Sequence, residues 1–284
     1  MLAVLVTCLI VASMFFLREA EATEEPKPFT FAVSAMASPA TTFIHFTEFR
    51  DYLAEKLGRP VIMKQRRTYA EINQLLAENV VSMAFTCTGG FLEGRRTAGL
   101  EAIAVPIIGG KTSYQSYIIV ANTNPAQRLE DLKGSIFAFT DSLSLTGRLY
   151  PTAAINALGF KTGDFFRKTF FTASHDKSII SVAEGVADAA AVDSLIFDSL
   201  LNNPESATHR VKIIHASPPF GMPPIVVPAE LDKTEKRSLL KILLNMAEDP
   251  HGKEILDSLG MDGFVIPDAT MYRSALLMIK QMTE

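Results

Sequence analysis

Residues Ser135–Leu158 read SIFAFTDSLSLTGRLYPTAAINAL. The apolar run Ser135–Phe139 has strand composition. It ends in a polar loop bearing Thr140, Asp141, Ser142, Ser144 and Thr146, and Gly147 then opens an apolar-periodic helix, Gly147–Leu158. Strand, polar loop and helix in that order are one unit of an α/β fold. Free backbone N–H groups and the positive end of the helix dipole meet at such a junction, so Ser144 and Thr146 can surround a small oxyanion. The same hydroxyls can equally cap the helix. Asp141 repels an anion unless it turns away, and a loop or capping role suits it.

The same alternation extends in both directions. Phe29–Val33, Val61–Lys64, Val81–Phe85, Ala102–Ile108, Tyr117–Ala121, Ala189–Val192, Val211–His215 and Ile225–Val227 read as strands. Helical periodicity fills the gaps. In Thr41–Leu57 the residues Phe43, Phe46, Phe49, Leu53 and Leu57 make one stripe before the stop signal Gly58. Tyr69–Ala77, Lys177–Glu184 and Ser194–Leu201 behave similarly, and Lys233–Ala247, Gly252–Leu259 and Ala269–Met282 give the last third a helical character. The length, 284 residues, suits two domains at about 150 residues each. No long linker or repeat is visible, so the second lobe is expected as an insertion in the first. Ser113–Ala121 and Met222–Pro228 are the expected crossings of the hinge. This assigns 29–116 and 228–284 to lobe 1 and 117–227 to lobe 2, with a ligand held between them.

Two further segments place chemistry at that cleft. In SHDKSIISVAEGVADAAAVD (Ser174–Asp193) a helix begins near His175, and a short apolar strand delivers Asp193 at its C-terminal end. His175 can donate to an anion and Asp193 can accept from a protonated or cationic ligand group. Capping is the plain alternative for both. In AFTCTGGF (Ala84–Phe91), Thr86, Cys87 and Thr88 lie at a strand-to-helix turn. A lone cysteine is usually a small buried hydrophobe, but a helix N-terminus is expected to lower its pKa and make it a thiolate ligand. Tyr69 follows Arg66-Arg67-Thr68 at a helix start and can offer its hydroxyl to the cleft or simply pack its ring.

The N-terminal residues Leu2–Leu17 are uncharged, and Arg18 and an acidic stretch follow. With the small-x-small triplet Ala20-Glu21-Ala22, residues 1–22 read as an export signal, although no Lys or Arg precedes the apolar run. A retained anchor and a buried N-terminal helix are the alternatives. Cleavage removes Cys8 and leaves Cys87 without a disulfide partner. With 27 Lys and Arg against 31 Asp and Glu, the chain has no field that draws in nucleic acid or an anionic membrane. A composition that is 48% hydrophobic and 20% charged excludes disorder and coiled coil. There is no GxSxG, GxxxxGK[ST], HExxH or Cys-x-x-Cys motif, and His45, His175, His209, His215 and His251 have no metal-ligand spacing, so catalysis is the weaker class of explanation.

Read together, TYAEINQLLAENVVSMAF (Thr68–Phe85), YQSYIIV (Tyr114–Val120), Leu132–Gly159, Ser174–Ser194 and ASPPFGMPPIVV (Ala216–Val227) resemble the PhnD-like phosphonate, phosphite and phosphate-binding proteins, a branch of the type II periplasmic binding proteins. The resemblance runs from about Phe29 to Met271. It implies an α/β, two-lobed protein on a two-crossing hinge that closes on a small oxyanion and passes it to the membrane permease of an ABC importer. A periplasmic monomer without cofactor or enzymatic activity is expected. The implied ligand residues are Tyr69, Ser144, Thr146, His175 and Asp193, with Thr86, Cys87, Thr88, Tyr114 and Leu145 lining the same cleft. Ser142 and Leu145 depart from the family's loop, where a proline and a further hydroxyl are usual. Cys87-Thr88-Gly89-Gly90 replaces its Gly-Pro turn. That turn is similar to the branch that binds arsenite through a cleft cysteine and reports to a sensor kinase, which is the alternative reading.

Overall fold

The computed structural model describes residues 27–34 and 39–283, with the side chains of 39–45 and 283 excepted. The expected export segment 1–22, Phe43 and His45 lie outside what is described. Strands β1 (Phe29–Ser34), β2 (Val61–Arg66), β3 (Met83–Phe85), β4 (Glu101–Ile107), β12 (Ile225–Val227) and β13 (Gly263–Val265) form one sheet in the order β13-β4-β12-β3-β1-β2. Strands β6 (Ser116–Ala121), β7 (Ile136–Phe139), β8 (Lys168–Phe171), β9 (Ala189–Asp193) and β10 (Val211–Ala216) form a second, in the order β10-β6-β9-β7-β8. A two-stranded antiparallel ribbon of β5 (Ser113–Tyr114) and β11 (Phe220–Gly221) joins them. The architecture is the expected two-lobed α/β fold on two crossings. Among the described residues no helix is long and apolar enough to cross a membrane.

Each sheet ends in a run of three parallel strands, β3-β1-β2 in the first and β9-β7-β8 in the second. Parallel strands need helices on both faces, and apolar clusters fill both sides. Phe31, Phe46, Phe49 and Phe85 pack edge to face on one side of the first sheet. Tyr69, Leu76, Phe91 and Leu145 belong to the cluster on the other. The stripe expected on Thr41–Leu57 is buried at Phe46, Phe49 and Leu53, in a helix that runs Pro39–Leu57.

Several elements differ from expectation. The expected boundary assigned Ile225–Val227 to lobe 2, but β12 pairs with β3 and β4 in the first sheet. The crossings are correspondingly shorter, because the chain leaves the ribbon at Gly221 and reaches the first sheet three residues beyond Met222. β8, KTFF, carries no apolar alternation because it is an edge strand with Lys168 and Thr169 exposed. The helix expected over Gly147–Leu158 is a π-helical turn, Leu145–Leu149, followed by an α-helix, Tyr150–Ala157. Pro151 supplies the reason. It has no N–H to give to the carbonyl four residues earlier, and that carbonyl, of Gly147, accepts from Thr140 N–H instead (3.2 Å).

Candidate functional site

The segments that follow β3, β7 and β9 meet between the two sheets. Tyr69 begins the helix Tyr69–Ala77, whose start is fixed by a capping box: Glu71 N–H donates to Thr68 Oγ1 (3.2 Å) and Thr68 N–H to Glu71 Oε2 (2.9 Å). The N–H of Tyr69 donates across the cleft to Asp141 Oδ2 (3.2 Å), and Asp141 Oδ1 accepts from Leu143 N–H (2.8 Å). The helix Thr88–Ala98 starts after Cys87, which gives it no side-chain cap. Backbone N–H groups of Gly89 and Gly90, and of Leu145 from the opposing loop, lie near enough to the Cys87 thiol to work against the rise that burial imposes on its pKa. Gly89 marks how closely the two sides approach, because a Cβ there would lie 2.1 Å from the Leu143 carbonyl oxygen.

On the second-sheet side, Ser144 Oγ caps the π turn by accepting from Gly147 N–H (3.0 Å). The carbonyl of Thr146 accepts from Ser116 Oγ (2.6 Å). His175 is the first residue of the helix His175–Ala183, and its Nδ1 accepts from Asp193 N–H (3.0 Å) with Thr140 Oγ1 at 3.1 Å. Asp193 closes β9 and caps the helix Ser194–Leu201, its Oδ1 accepting from Leu195 N–H (2.7 Å). What these bonds leave over is informative. Tyr69 Oη, Tyr114 Oη, Thr146 Oγ1, Ser174 Oγ, His175 Nε2 and Asp193 Oδ2 are all buried without a hydrogen-bond partner. An orphaned buried polar group costs roughly 1–3 kcal/mol, so such a concentration on facing segments marks a ligand space. Asp193 lies within electrostatic reach of Tyr69, Cys87 and Tyr114, which draws both sides of the cleft and the crossing into one site.

The family model for the periplasmic phosphonate substrate-binding protein of ABC transporters matches residues 31–272. The chain belongs to this family. The phosphonates-binding periplasmic protein of Escherichia coli (strain K12) is 27% identical over 271 residues, covering 92% of this chain and 80% of that protein. The crystal structure of PhnD1 from Prochlorococcus marinus (MIT 9301) in complex with methylphosphonate superposes with a TM-score of 0.82 at 19% identity, over 91% of this chain and 99% of the other. A binding protein component of a Pseudomonas aeruginosa ABC phosphonate transporter gives the same score at 22% identity, over 90% and 87%. Members of the phosphonate-binding family are periplasmic solute-binding proteins, not enzymes, and work with the permease of an importer.

The residues singled out from sequence divide into three groups. Tyr69, Tyr114, Thr146, His175 and Asp193 have buried side-chain polar atoms without a partner in the protein. Ser144, Thr86 and Thr88 are buried nearby with their oxygens in protein bonds: Ser144 Oγ accepts in its cap and Thr86 Oγ1 accepts from Ser34 Oγ (3.2 Å), both keeping their own O–H, whereas Thr88 Oγ1 donates to the ribbon carbonyl of Gly221 (2.8 Å). Leu145 packs its side chain into the apolar cluster of the first lobe and contributes only its backbone N–H at Cys87. The expected depression of the Cys87 pKa is overturned, since burial outweighs the helix N-terminus and pushes the thiol up to about 11. Ser174 and Thr140 were not singled out as ligand-site residues. The Ser-His-Asp start of a helix is the only sequence signal for Ser174, and it reads as a cap, although Ser174 makes no cap bond.

Burial sets the charge state of the two titratable groups in opposite directions. It lowers His175 to about 3, so the ring is neutral, and because Nδ1 accepts, its one proton sits on Nε2. It raises Asp193 to about 7. The unfolded chain therefore binds more protons at His175 between about pH 3 and 6.5, so the His175 contribution stabilises as pH rises. The folded chain binds more at Asp193 between about pH 4 and 7, so the Asp193 contribution destabilises as pH rises. The two offset each other in the overlap. In unliganded Asp193→Asn the Asp193 contribution is gone. Its stability relative to wild type is expected to climb from about pH 4.5 to 6.5, by at most about 1.4 kcal/mol per pH unit. Urea unfolding at three pH values measures this, and parallel curves for the two proteins refute it.

Proposed function

We propose that this chain captures a small tetrahedral oxyanion of the phosphonate, phosphite or phosphate class between its lobes, with Tyr69, Tyr114, Thr146 and His175 donating to the oxyanion and Asp193 facing it. The observation that carries this reading is the convergence of orphaned donors in a site from which bulk water is excluded. Among the described residues no Lys or Arg is buried, so the anion is held by neutral hydroxyls, an imidazole N–H and helix-start amides. Tyr69, His175 and Asp193 have no exposed surface, so a solute enters only when the lobes part. Binding then favours the closed state through contacts made to both sides. The relative from Prochlorococcus marinus that holds methylphosphonate supports the ligand class. A monomer exported by removal of residues 1–22 completes the reading.

The arsenite alternative requires sulfur coordination by Cys87, and the thiol is buried and protonated at neutral pH. The test is calorimetry of the purified protein with phosphate, phosphite, methylphosphonate and arsenite. At least one phosphorus oxyanion is expected to bind and arsenite is not. Arsenite binding alone, lost in Cys87→Ser, overturns the proposal and makes a sensor kinase the partner to seek.

A further inference from the structure

The two ribbon crossings are not the only ties between the lobes. After β13, which belongs to the first sheet, the chain reaches the second lobe once more. Its last helix, Arg273–Thr283, lies against Tyr150–Ala157, the helix that follows the π turn bearing Thr146. The residues just before that last helix are fastened at the hinge. Tyr272 is buried, its Oη donates to the carbonyl of Met222 (3.0 Å), and its ring meets that of Phe91 edge to face at 5.0 Å. Met271 lies so close to the ribbon that a Cβ on Gly221 would come within 2.5 Å of Met271 Cγ and 2.7 Å of the Met271 carbonyl oxygen. Resting on the oxyanion reading only for the ligand that probes it, we propose that residues 271–283 are a strap that holds the lobes together, raising the closed population of the ligand-free protein and slowing release of a bound oxyanion.

The two ends of the strap are held by different lobes. Its anchor rests on Phe91 of the first-lobe helix Thr88–Ala98 and on the ribbon, whose Gly221 carbonyl that same helix holds through Thr88 Oγ1 (2.8 Å). Its far end rests on Tyr150–Ala157, which moves with the second sheet. There the Tyr150 ring stacks on His215 of β10 with centroids 5.8 Å apart, and its Oη meets His215 Nε2 at 2.5 Å. When the lobes rotate apart about the ribbon, the Arg273–Thr283 helix cannot follow both. Ala275 is fully buried, and Met278 and Ile279 pack on the same apolar cluster as Leu149 and Tyr150. Packed helices interlock side chain against side chain, so parting them uncovers apolar surface instead of stretching the contact. That cost falls on the open state whether or not a ligand is bound, so it shifts the equilibrium toward closure in both. The buried site is reached only through the open state, and a strap that opposes opening therefore slows exit as well as entry. Leu276 and Leu277 of the same helix are 44% and 55% exposed and point away from this contact.

The test compares wild type with two altered chains. One ends at Arg273 and keeps the Tyr272 anchor, and the other is full length with Met278→Ser and Ile279→Ser, which keeps the helix but loosens its grip. A chain with Leu276→Ser and Leu277→Ser controls for a change in the helix that leaves the contact alone. Small-angle scattering of the ligand-free proteins is expected to give larger dimensions for both altered chains than for wild type and control. Phosphorus NMR exchange measurements with methylphosphonate are expected to show release roughly ten times faster in both, with the control unchanged. Scattering and release equal to wild type overturn the strap, as does a control that behaves like the altered chains. The substituted chain decides alone where the truncated one does not fold. Methylphosphonate binding to none of the four proteins counts against the oxyanion reading, and the ligand-free scattering then decides the strap by itself.

Discussion

Gly89→Ala is expected to hold the two lobes apart and weaken oxyanion binding by roughly ten- to a hundred-fold, while each lobe stays folded. The added methyl meets no flexible side chain. It meets backbone, the Leu143 carbonyl oxygen at 2.1 Å and the Leu145 nitrogen at 2.9 Å, both on the opposing lobe. Overpacking of this kind costs about 1–3 kcal/mol, and here the strain exists only when the lobes are closed. It therefore subtracts from closure and so from affinity, at about 1.4 kcal/mol per factor of ten. Calorimetry with methylphosphonate gives the affinity, and small-angle scattering in saturating ligand gives the closure. An unchanged affinity with an unchanged scattering profile refutes the argument. A glycine at this position is thus explained without any contact to the ligand.

His175→Asn is expected to lose a comparable factor by a different route. The shorter amide keeps an acceptor for the Asp193 N–H where Nδ1 now stands, but it does not reach as far as Nε2. What is removed is one donor to a charged ligand, about 1.5–3 kcal/mol, or roughly ten- to a hundred-fold. The stability of the unliganded protein should change little, whereas His175→Ala also strands the Asp193 amide and Thr140 hydroxyl that now meet Nδ1. Since the ring is neutral to about pH 3, any change of affinity with pH near about 6.5, where an exposed imidazole loses its charge, should be the same in wild type and His175→Asn. Calorimetry and urea unfolding on the two variants separate these effects. Equal affinity for wild type and His175→Asn removes His175 from the ligand.

The strands with strong apolar runs and the helices with a periodic stripe were legible because burial of one face writes itself into the sequence. Phe46, Phe49 and Leu53 are such a stripe. β8 and the two-residue ribbon strands were not legible, since an edge strand and a hinge ribbon bury too little to impose a pattern. At the site, the Ser135–Leu158 unit pointed to a loop that lies between the two sheets, but residue type alone does not say which oxygen lacks a partner in the protein. Ser144 and Thr146 look alike in sequence. One accepts from Gly147 N–H and the other has its hydroxyl left over.

The sequence by itself determined the α/β alternation, the insertion of one lobe in the other, the strand-end loops that carry the site and the family to which they belong. All but the family follow from local periodicity and turn chemistry, which neighbouring residues fix among themselves; the family rests on the resemblance of whole segments in order. Only the tertiary structure decided which groups of those loops remain unpaired and what charge they hold. Leu145 became a plug in the opposite lobe, Asp141 a latch on Tyr69 N–H, and Cys87 a protonated thiol. The physical reason is the same in each case: hydrogen-bond satisfaction and desolvation depend on what the other lobe brings within a few ångströms, and no window of sequence contains that information.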